Sequence, residues 1–492
     1  MPVKGGTNVV VVVMDTARVD SLSYIHQESA FSSAIVETAA TGSRYSRAFA
    51  IAPWTLPSHA SLFTGTSASK HGAHAGHKQL TGHLRTIAEV FQNADHETVA
   101  VSNNTWISEE FGFGRGFETF HNTWQYVQSD VDLGKVARIE EGTDKLKTLA
   151  RELLSGNPIS NLANAIYGQF FRRQYDDGAR RTNDWIGDWL ADRADARPFF
   201  LFVNYLEPHL EYRPPEEDAE QFLPAGVSYD EAMAVPQDAW GYIAGTVEVT
   251  DRDFEILRAL YRAEIAYLDR RIGELRDMLE AQGEWEDTVF VVTADHGENI
   301  GDHGLMDHQY CLYDTLLHVP LVIHGGSFTG GGTVEELVSL TDLGPTLLDE
   351  VGIDAPEYRE QTQGRSFHPD AIAEPRDRIV AEYLAPQPSM DALETRVGGL
   401  PEHVREYDRS LRAVRTDRYK YIRGSDGSLE LYDIQCDPGE TEDLADTRGD
   451  VIADLDATLE EWLDSFDHAD LPDDVEMREE TRARLEDLGY LQ

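Results

Sequence analysis

Five short apolar runs punctuate the chain without alternating with polar residues, at 9–14, 98–102, 199–204, 288–293 and 320–324. A strand with one wet face alternates, so these continuous runs predict strands buried on both faces, the habit of parallel sheets covered by helices. Helical patterns lie between them. The clearest covers 254–279, where Leu257, Tyr261, Ile265, Leu268, Ile272, Leu275 and Leu279 recur at the three- and four-residue steps of one helix face. Strands alternating with helices predict an α/β fold with a mainly parallel central sheet flanked by helices. Residues 121–197 are polar and helical in pattern, and they are expected to form a helical insertion at the rim of that sheet. After about residue 375 the pattern changes. LRAVRTDRYKYIRG followed by SLELYDIQCDPGETEDLA predicts two antiparallel strands joined by a turn and then a loop, and DVIADLDATLEEWLDSF predicts an amphipathic helix. The expected division is a large α/β domain over 1–375 and a smaller α+β C-terminal subdomain over 376–492.

Composition narrows the class. The 492 residues are 41% hydrophobic and 10% aromatic, enough for a packed, enzyme-sized chain rather than a disordered one. Lysine and arginine total 42 against 89 aspartates and glutamates, a net charge of −47. Such a charge repels nucleic acid and anionic membrane surfaces, so neither is an expected partner. The acid is spread along the whole chain, as on halophile proteins that work in molar salt, where screening removes the self-repulsion. Cys311 and Cys436 are the only cysteines, so no disulfide framework is expected. The opening MPVKGGTNVVVVVMD lacks the charged start, long apolar core and cleavage site of a secretory signal, and no run approaches the ~18 apolar residues of a membrane span. The cytoplasm is the expected compartment.

Candidate chemistry collects at the ends of the apolar runs. In open α/β sheets ligands bind beyond the carboxyl ends of the strands. Asp15 follows the first run, His209 comes shortly after the third, and Asp295 and His296 follow the fourth, with His303 and His308 beyond. APWTLPSHASLFTG, residues 52–65, places Thr55 at the start of a helix. A hydroxyl there either caps the helix or stands as an exposed nucleophile in the positive end of its dipole. Each residue alone has an ordinary use, as a cap or a loop histidine. Several strand tips carrying carboxylate or imidazole are harder to dismiss, because buried charge is costly unless paired or metal-bound. Asp15, Asp295 and His296 offer two carboxylates and an imidazole to a divalent metal, and Thr55 would be the fourth ligand. Coordination lowers a hydroxyl's pKa and makes it a usable nucleophile.

In ordered segments the chain resembles the sulfatase family of the alkaline phosphatase superfamily. They are NVVVVVMDTARVDSL, APWTLPSHASLFTG, KHGAHAG, PFFLFVNYLEPHLEY, YRAEIAYLDRRIGEL, VVTADHGENIGDHGLMDHQYCLYDTLLHVPLVI, VSLTDLGPTLLDEVGI and LRAVRTDRYKYI with ELYDIQCDPGE. The resemblance implies an alkaline-phosphatase-like fold, with 1–375 as its catalytic domain. It also implies a hydrolase or transferase acting on sulfate or phosphate esters. The departures matter. Where sulfatases carry Cys or Ser in C/S-x-P-S-R, oxidised to formylglycine, this chain reads Thr55-Leu56-Pro57-Ser58-His59, and threonine cannot become that aldehyde. Asp15-Thr16 stands for an Asp-Asp pair, Asp295-His296 for Asp-Asn, and His308 for a lysine. Asp, Thr, Asp and His together resemble the phosphoryl-handling members that use a threonine nucleophile.

The mechanism so implied has Thr55 attack phosphorus or sulfur and form a covalent ester, with His209 and His308 on the equatorial oxygens and one of them protonating the leaving alcohol. An imidazole ligand favours manganese or zinc, whereas an all-oxygen set suits calcium or magnesium. His303 is either a third contact or structural. His59, in the arginine's place, is a candidate on the substrate side, although His59, His71 and His74 are expected mainly behind the metal ligands. Glu298 and Asp302 are candidate ligands of a second metal, and Asp269 is expected to be a salt-bridged structural residue. The expected activity is a metal-dependent hydrolase of an anionic ester (small molecule, glycan or lipid head group), with phosphate mono- or diesters favoured. The alternatives are a phosphoalcohol transferase and a non-catalytic relative that binds anionic glycans.

Overall fold

All five apolar runs become strands of one eight-stranded sheet in the computed structural model, which describes residues 6–22, 33–123, 178–330, 332–371 and 374–469. Its strands are β1 (Asn8–Met14), β2 (Ser43–Phe49), β3 (Glu97–Ser102), β4 (Thr119–Asn122), β5 (Phe199–Tyr205), β6 (Thr288–Ala294), β9 (His318–His324) and β10 (Thr333–Ser339). A two-stranded hairpin of β7 (Asn299–Ile300) and β8 (Met306–Asp307) lies between β6 and β9 in the chain. The order across the large sheet is β10-β2-β9-β6-β1-β5-β3-β4. Every residue of β1, β5 and β6 is buried, as continuous apolar runs require.

One strand corrects the expectation. The run at 320–324 lies in β9, which is antiparallel to both neighbours, β2 and β6. The chain leaves β6 at the carboxyl edge, builds its loops there and enters β9 from that same edge without a crossover, so it can only return antiparallel. Apolar continuity reports burial on both faces and carries no information on direction. The strands that the runs did not reveal, β2, β4 and β10, are only partly buried, which dilutes the apolar signal.

Helices flank the sheet: α1 (Ser33–Thr41), α2 (Thr55–Thr64), α3 (Ala179–Asp192) and α4 (Asp251–Ala281). The periodic segment expected over 254–279 is α4, which buries Leu257, Ile265, Leu268, Ile272, Leu275 and Leu279. It begins at a capping box in which Thr250 and Asp253 satisfy each other's backbone N–H. Asp269 on α4 is structural, but among the described residues not through a salt bridge. Its carboxylate accepts the N–H groups of Ala34 and Ile35, each at 2.9 Å, and so caps α1. Burial pushes this carboxyl up to about 6. Of the insertion expected over 121–197, residues 124–177 lie outside the described residues; its start completes β4 and its end contains α3.

The C-terminal part is a four-stranded antiparallel sheet of β11 (Arg378–Tyr383), β12 (Leu411–Thr416), β13 (Tyr419–Gly424) and β14 (Leu429–Asp433), followed by α5 (Gly449–Leu463). The two expected strands are therefore three, because the chain turns at Asp417-Arg418, and β11 joins them from upstream. Side chains alternate between its faces. Ile379, Ala381, Ala413 and Ile422 join the main core, while Val380, Val414, Tyr421 and Leu431 pack with Leu455 and Leu459 of α5.

A buried ion network ties this sheet to the large one. Lys420 on β13 is fully buried, with Nζ 2.8 Å from Asp314 Oδ1 and 2.7 Å from Glu440 Oε1. Arg415 Nε adds a bond of 3.1 Å to Asp314 Oδ2. Against the opposing pull of burial, Lys420 and Arg415 hold the Asp314 carboxyl well below its ordinary range. Among the described residues no helix is long and apolar enough to cross a membrane.

Candidate metal centre and active site

The register of the central strands decides what meets at the sheet's carboxyl edge. Met14 of β1 is level with Ala294 of β6 on one side and with Tyr205 of β5 on the other. Asp15 therefore emerges beside Asp295, and His209 follows on the other flank. Thr55 arrives from β2 as the first residue of α2, whose ten residues are all buried. It does not cap that helix: Trp54 occupies the cap position with no side-chain bond. Pro57 costs the first turn nothing, because its missing N–H would have lacked a partner in the helix. Ser58 Oγ donates to the Asp295 carbonyl at 2.6 Å and locks the start of α2 to the tip of β6.

Asp15, Thr55, Asp295 and His296 are all at most 1% exposed. His296 Nε2 stands 3.4 Å from Asp295 Oδ2, 3.8 Å from Asp15 Oδ1 and 3.4 Å from Thr55 Oγ1. One ligand atom each from Asp15, Asp295 and His296 lies within 4.8 Å of the others. His296 Nδ1 lies 2.9 Å from the Gly297 carbonyl, so Nδ1 carries the proton and Nε2 turns its lone pair inward. Burial and the neighbouring His308 hold His296 well below its ordinary pKa, in the neutral, ligating form.

Asp15 Oδ1 and Asp295 Oδ2 are buried with no hydrogen-bond partner among the described residues. Burial, and then the charge of Asp295, pushes the Asp15 carboxyl well up, as it must when two carboxylates face each other. Two orphaned carboxylate oxygens, a neutral imidazole nitrogen and a hydroxyl fit a divalent cation.

Around this cluster the structure adds residues the sequence did not single out. Asn104, just past β3, donates from Nδ2 to Asp15 Oδ2 at 2.5 Å and reaches Thr55 Oγ1 at 3.5 Å. The strand-tip rule applied to the run at 98–102 would have found it. Thr16 holds φ at +62°, uncommon for a β-branched residue, and this turns its N–H onto Asp295 Oδ1 at 3.2 Å. His59 sits behind Asp295, with Nδ1 2.9 Å from the Thr55 carbonyl and 3.4 Å from Asp295 Oδ2, and is fully enclosed against Phe113 and Phe202. His71 is turned away, bonded to Ser61 Oγ at 3.1 Å, and His74 pairs with His77 in a backbone bridge.

A second group adjoins the first. The His308 ring centre lies 4.6 Å from that of His296 and 5.2 Å from that of His209. Its Nδ1 is 2.5 Å from Asp307 Oδ1 and 3.4 Å from Glu298 Oε1. Burial works to lower the His308 pKa, but these two carboxylates outweigh it and hold the pKa well above the ordinary value. His209 has the opposite fate: burial, then the charge of His308, takes it down to about 3. The pairing of Glu298 with Asp302 is not made. Asp302 forms a 2.8 Å ion pair with Arg18, while Glu298 turns inward to Asp307 and His308. His303 lies on the exposed turn after Asp302, stacked on Tyr313 at 3.8 Å.

The family model for Sulfatase matches residues 7–353. The chain is 24% identical over 393 residues to an arylsulfatase of Clostridium perfringens (strain 13 / Type A), covering 76% of this chain and 81% of that one. A phosphonate monoester hydrolase of Agrobacterium radiobacter superposes with a TM-score of 0.67 at 20% identity, over 93% of this chain and 95% of its own. A protein solved in complex with its substrate D-glucosamine-2-N,6-O-disulfate superposes with a TM-score of 0.66 at 17% identity, over 96% and 100%. With the matched residues 7–353 supplying every strand of the large sheet and every group at its carboxyl edge, the chain belongs to the sulfatase family and is an ester hydrolase of that fold.

Proposed function

We propose that this chain hydrolyses anionic esters through a covalent intermediate on Thr55, and that it prefers phosphate mono- or diesters to sulfates. The observation that carries the reading is the placement of Thr55 Oγ1, buried at the start of α2 and 3.4 Å from His296 Nε2, beside the unpartnered oxygens of Asp15 and Asp295. Asp15, Thr55, Asp295 and His296 would hold the divalent cation that sulfatase-family enzymes generally use, with manganese or zinc favoured over calcium or magnesium by the imidazole. When bound, such a cation lowers the pKa of a hydroxyl and stabilises charge on a transferred group.

The chain's own residues do the rest. Thr55 Oγ1 bonds to phosphorus as the bond to the leaving alcohol breaks, and the amide end of α2 favours the anion held there. Asn104 Nδ2 orients Thr55. His209 and His308 are assigned to the outer oxygens, and one of them returns the proton to the departing alcohol. Water then attacks phosphorus, breaks the threonyl ester and releases phosphate. The preference for phosphorus follows from this exit. A formylglycine hydrate expels sulfate by collapsing to the aldehyde, without attack at sulfur. A threonyl ester has no such route and must be cleaved by a second attack at the central atom.

The test uses matched nitrophenyl phosphate, phosphodiester, phosphonate and sulfate substrates, with manganese and with zinc. Phosphate-type esters should have the higher kcat/KM, and mass spectrometry of quenched turnover should find phosphate on Thr55. A higher value for the sulfate overturns the preference. Near-wild-type turnover by Thr55→Ala, with unchanged circular dichroism, overturns the nucleophile. The charge of −47 adds that this enzyme works in a salt-rich cytosol. Dialysis from molar KCl into dilute buffer should then abolish its circular dichroism signal, and full retention of fold would refute that part.

A further inference from the structure

We propose that Glu298, Asp307 and His308 form a second divalent-cation site adjoining the first. One ligand atom from each lies within 4.8 Å of the others, and exposures of 0%, 8% and 2% close the group to water. The decisive residue is Glu298. Its side chain is wholly buried, and although His308 and Tyr212 stand beside it, neither carboxylate oxygen receives a well-aligned hydrogen bond from the described residues. Two carboxylates converge on a single nitrogen, His308 Nδ1, which can carry only one hydrogen. Asp307 Oδ1 stands 2.5 Å and Glu298 Oε1 3.4 Å from that nitrogen, and neither contact has the geometry of a hydrogen bond.

Charge leads to the same place. Two buried carboxylates share one imidazole, so charge on them has little to balance it inside the group. A dication with a neutral imidazole leaves no net charge, and buried charge persists where it is paired or metal-bound. The contrast with Asp302, four residues beyond Glu298, is instructive: that carboxylate has Arg18 at 2.8 Å and no need of a cation.

Two carboxylate oxygens and an imidazole nitrogen suit manganese or zinc, and three protein ligands leave room for an outside one. The cation would take Nδ1 of His308, so it does not compete for Nε2, the nitrogen that the proposed function directs at an outer oxygen of the transferred group. The rings of His296 and His308, 4.6 Å apart, make the two sites neighbours. The proposal rests on the reading above only for the existence of the first cation, and it is indifferent to the nucleophile.

The test counts metal. Protein stripped with chelator and dialysed against excess manganese should bind two ions per chain by elemental analysis, and its EPR spectrum should show a spin-coupled pair. Glu298→Gln and Asp307→Asn should each bind one ion and give an uncoupled spectrum, and Asp295→Asn should also bind one. One uncoupled ion in the wild type overturns the second site and leaves the first standing. No bound ion overturns both this inference and the metal chemistry proposed above. Two ions retained in Glu298→Gln and Asp307→Asn place the second ion elsewhere and overturn the assignment. If a variant does not fold, the wild-type count and coupling decide alone.

Discussion

At the joint between the two sheets, Asp314 and Glu440 are packed against the fully buried Lys420, with Arg415 closing the network. At the carboxyl edge of the large sheet, Asp15, Asp295 and Glu298 are buried just as deeply, yet what faces them is other carboxylates and neutral or shared imidazoles. Titration follows the nearest charges in each place, and at the joint Glu440 is itself pushed up to about 7 by burial and by Asp314. Asp314 is held below the ordinary range by its cations, whereas burial and like charge raise Asp15. The joint is electrostatically complete within the chain and serves the fold. The cleft has no such balance among the described residues, and a bound cation would supply it. Uncompensated buried charge is thus informative in a family member whose motif residues differ from the usual ones.

Removing a cleft carboxylate and removing the joint cation should have opposite signatures. Asp295→Asn should lower kcat/KM by about 10³-fold or more, roughly 4 kcal/mol of barrier. In chelator, however, it should be at least as stable to urea as the wild type, because it relieves a like-charge pair. A metal-free Asp295→Asn protein that unfolds far more easily would erase the contrast. Lys420→Met should cost about 3–5 kcal/mol of stability with or without metal, since it strands Asp314 and Glu440 without their ammonium. Urea titrations in both conditions measure this, and a loss under 1 kcal/mol would mean that the joint is no more self-sufficient than the cleft.

Chelation of the wild type should lower its stability by about 3–4 kcal/mol relative to protein held at 100 to 1,000 times its metal Kd. Calorimetry with and without EDTA reads the shift, which should shrink in Asp15→Asn to the part that the second site supplies. Asp269 sharpens the comparison as an intermediate case, a buried carboxylate satisfied by two backbone N–H groups and no cation. Its folded pKa of about 6 lies above the unfolded value. Its contribution is therefore fully present below about pH 4 and is lost as pH rises through 6, roughly 3 kcal/mol across the window. Asp269→Asn should flatten that stretch of the stability–pH curve, and an unchanged slope would count against the shift.

Much of this was readable one residue at a time. Hydrophobicity is a property of each side chain, so β1, β3, β5, β6 and β9, buried on both faces, announced themselves, and α4 did so by its spacing. The partly exposed β2, β10 and β4 did not, and the direction of β9 depends on which edge of the sheet the chain has reached. At the site, the strand-tip residues Asp15, Asp295 and His296 could be named because a topology rule links strand ends to ligands. Asn104 satisfied the same rule unnoticed.

What no local pattern contained is who meets whom. Asp15 and Asp295 are neighbours because β1 and β6 pair with Met14 level with Ala294, across nearly three hundred residues of chain. Glu298 and Asp302 are four residues apart and part company, because Arg18 claims one while the hairpin of β7 and β8 carries Asp307 and His308 to the other. Sequence therefore determined which groups reach the carboxyl edge, since burial and strand ends follow from short-range composition. Tertiary structure decided which of them are left without a counter-charge, because the compensating residue comes from a distant part of the chain and charge balance exists only once the chain has folded.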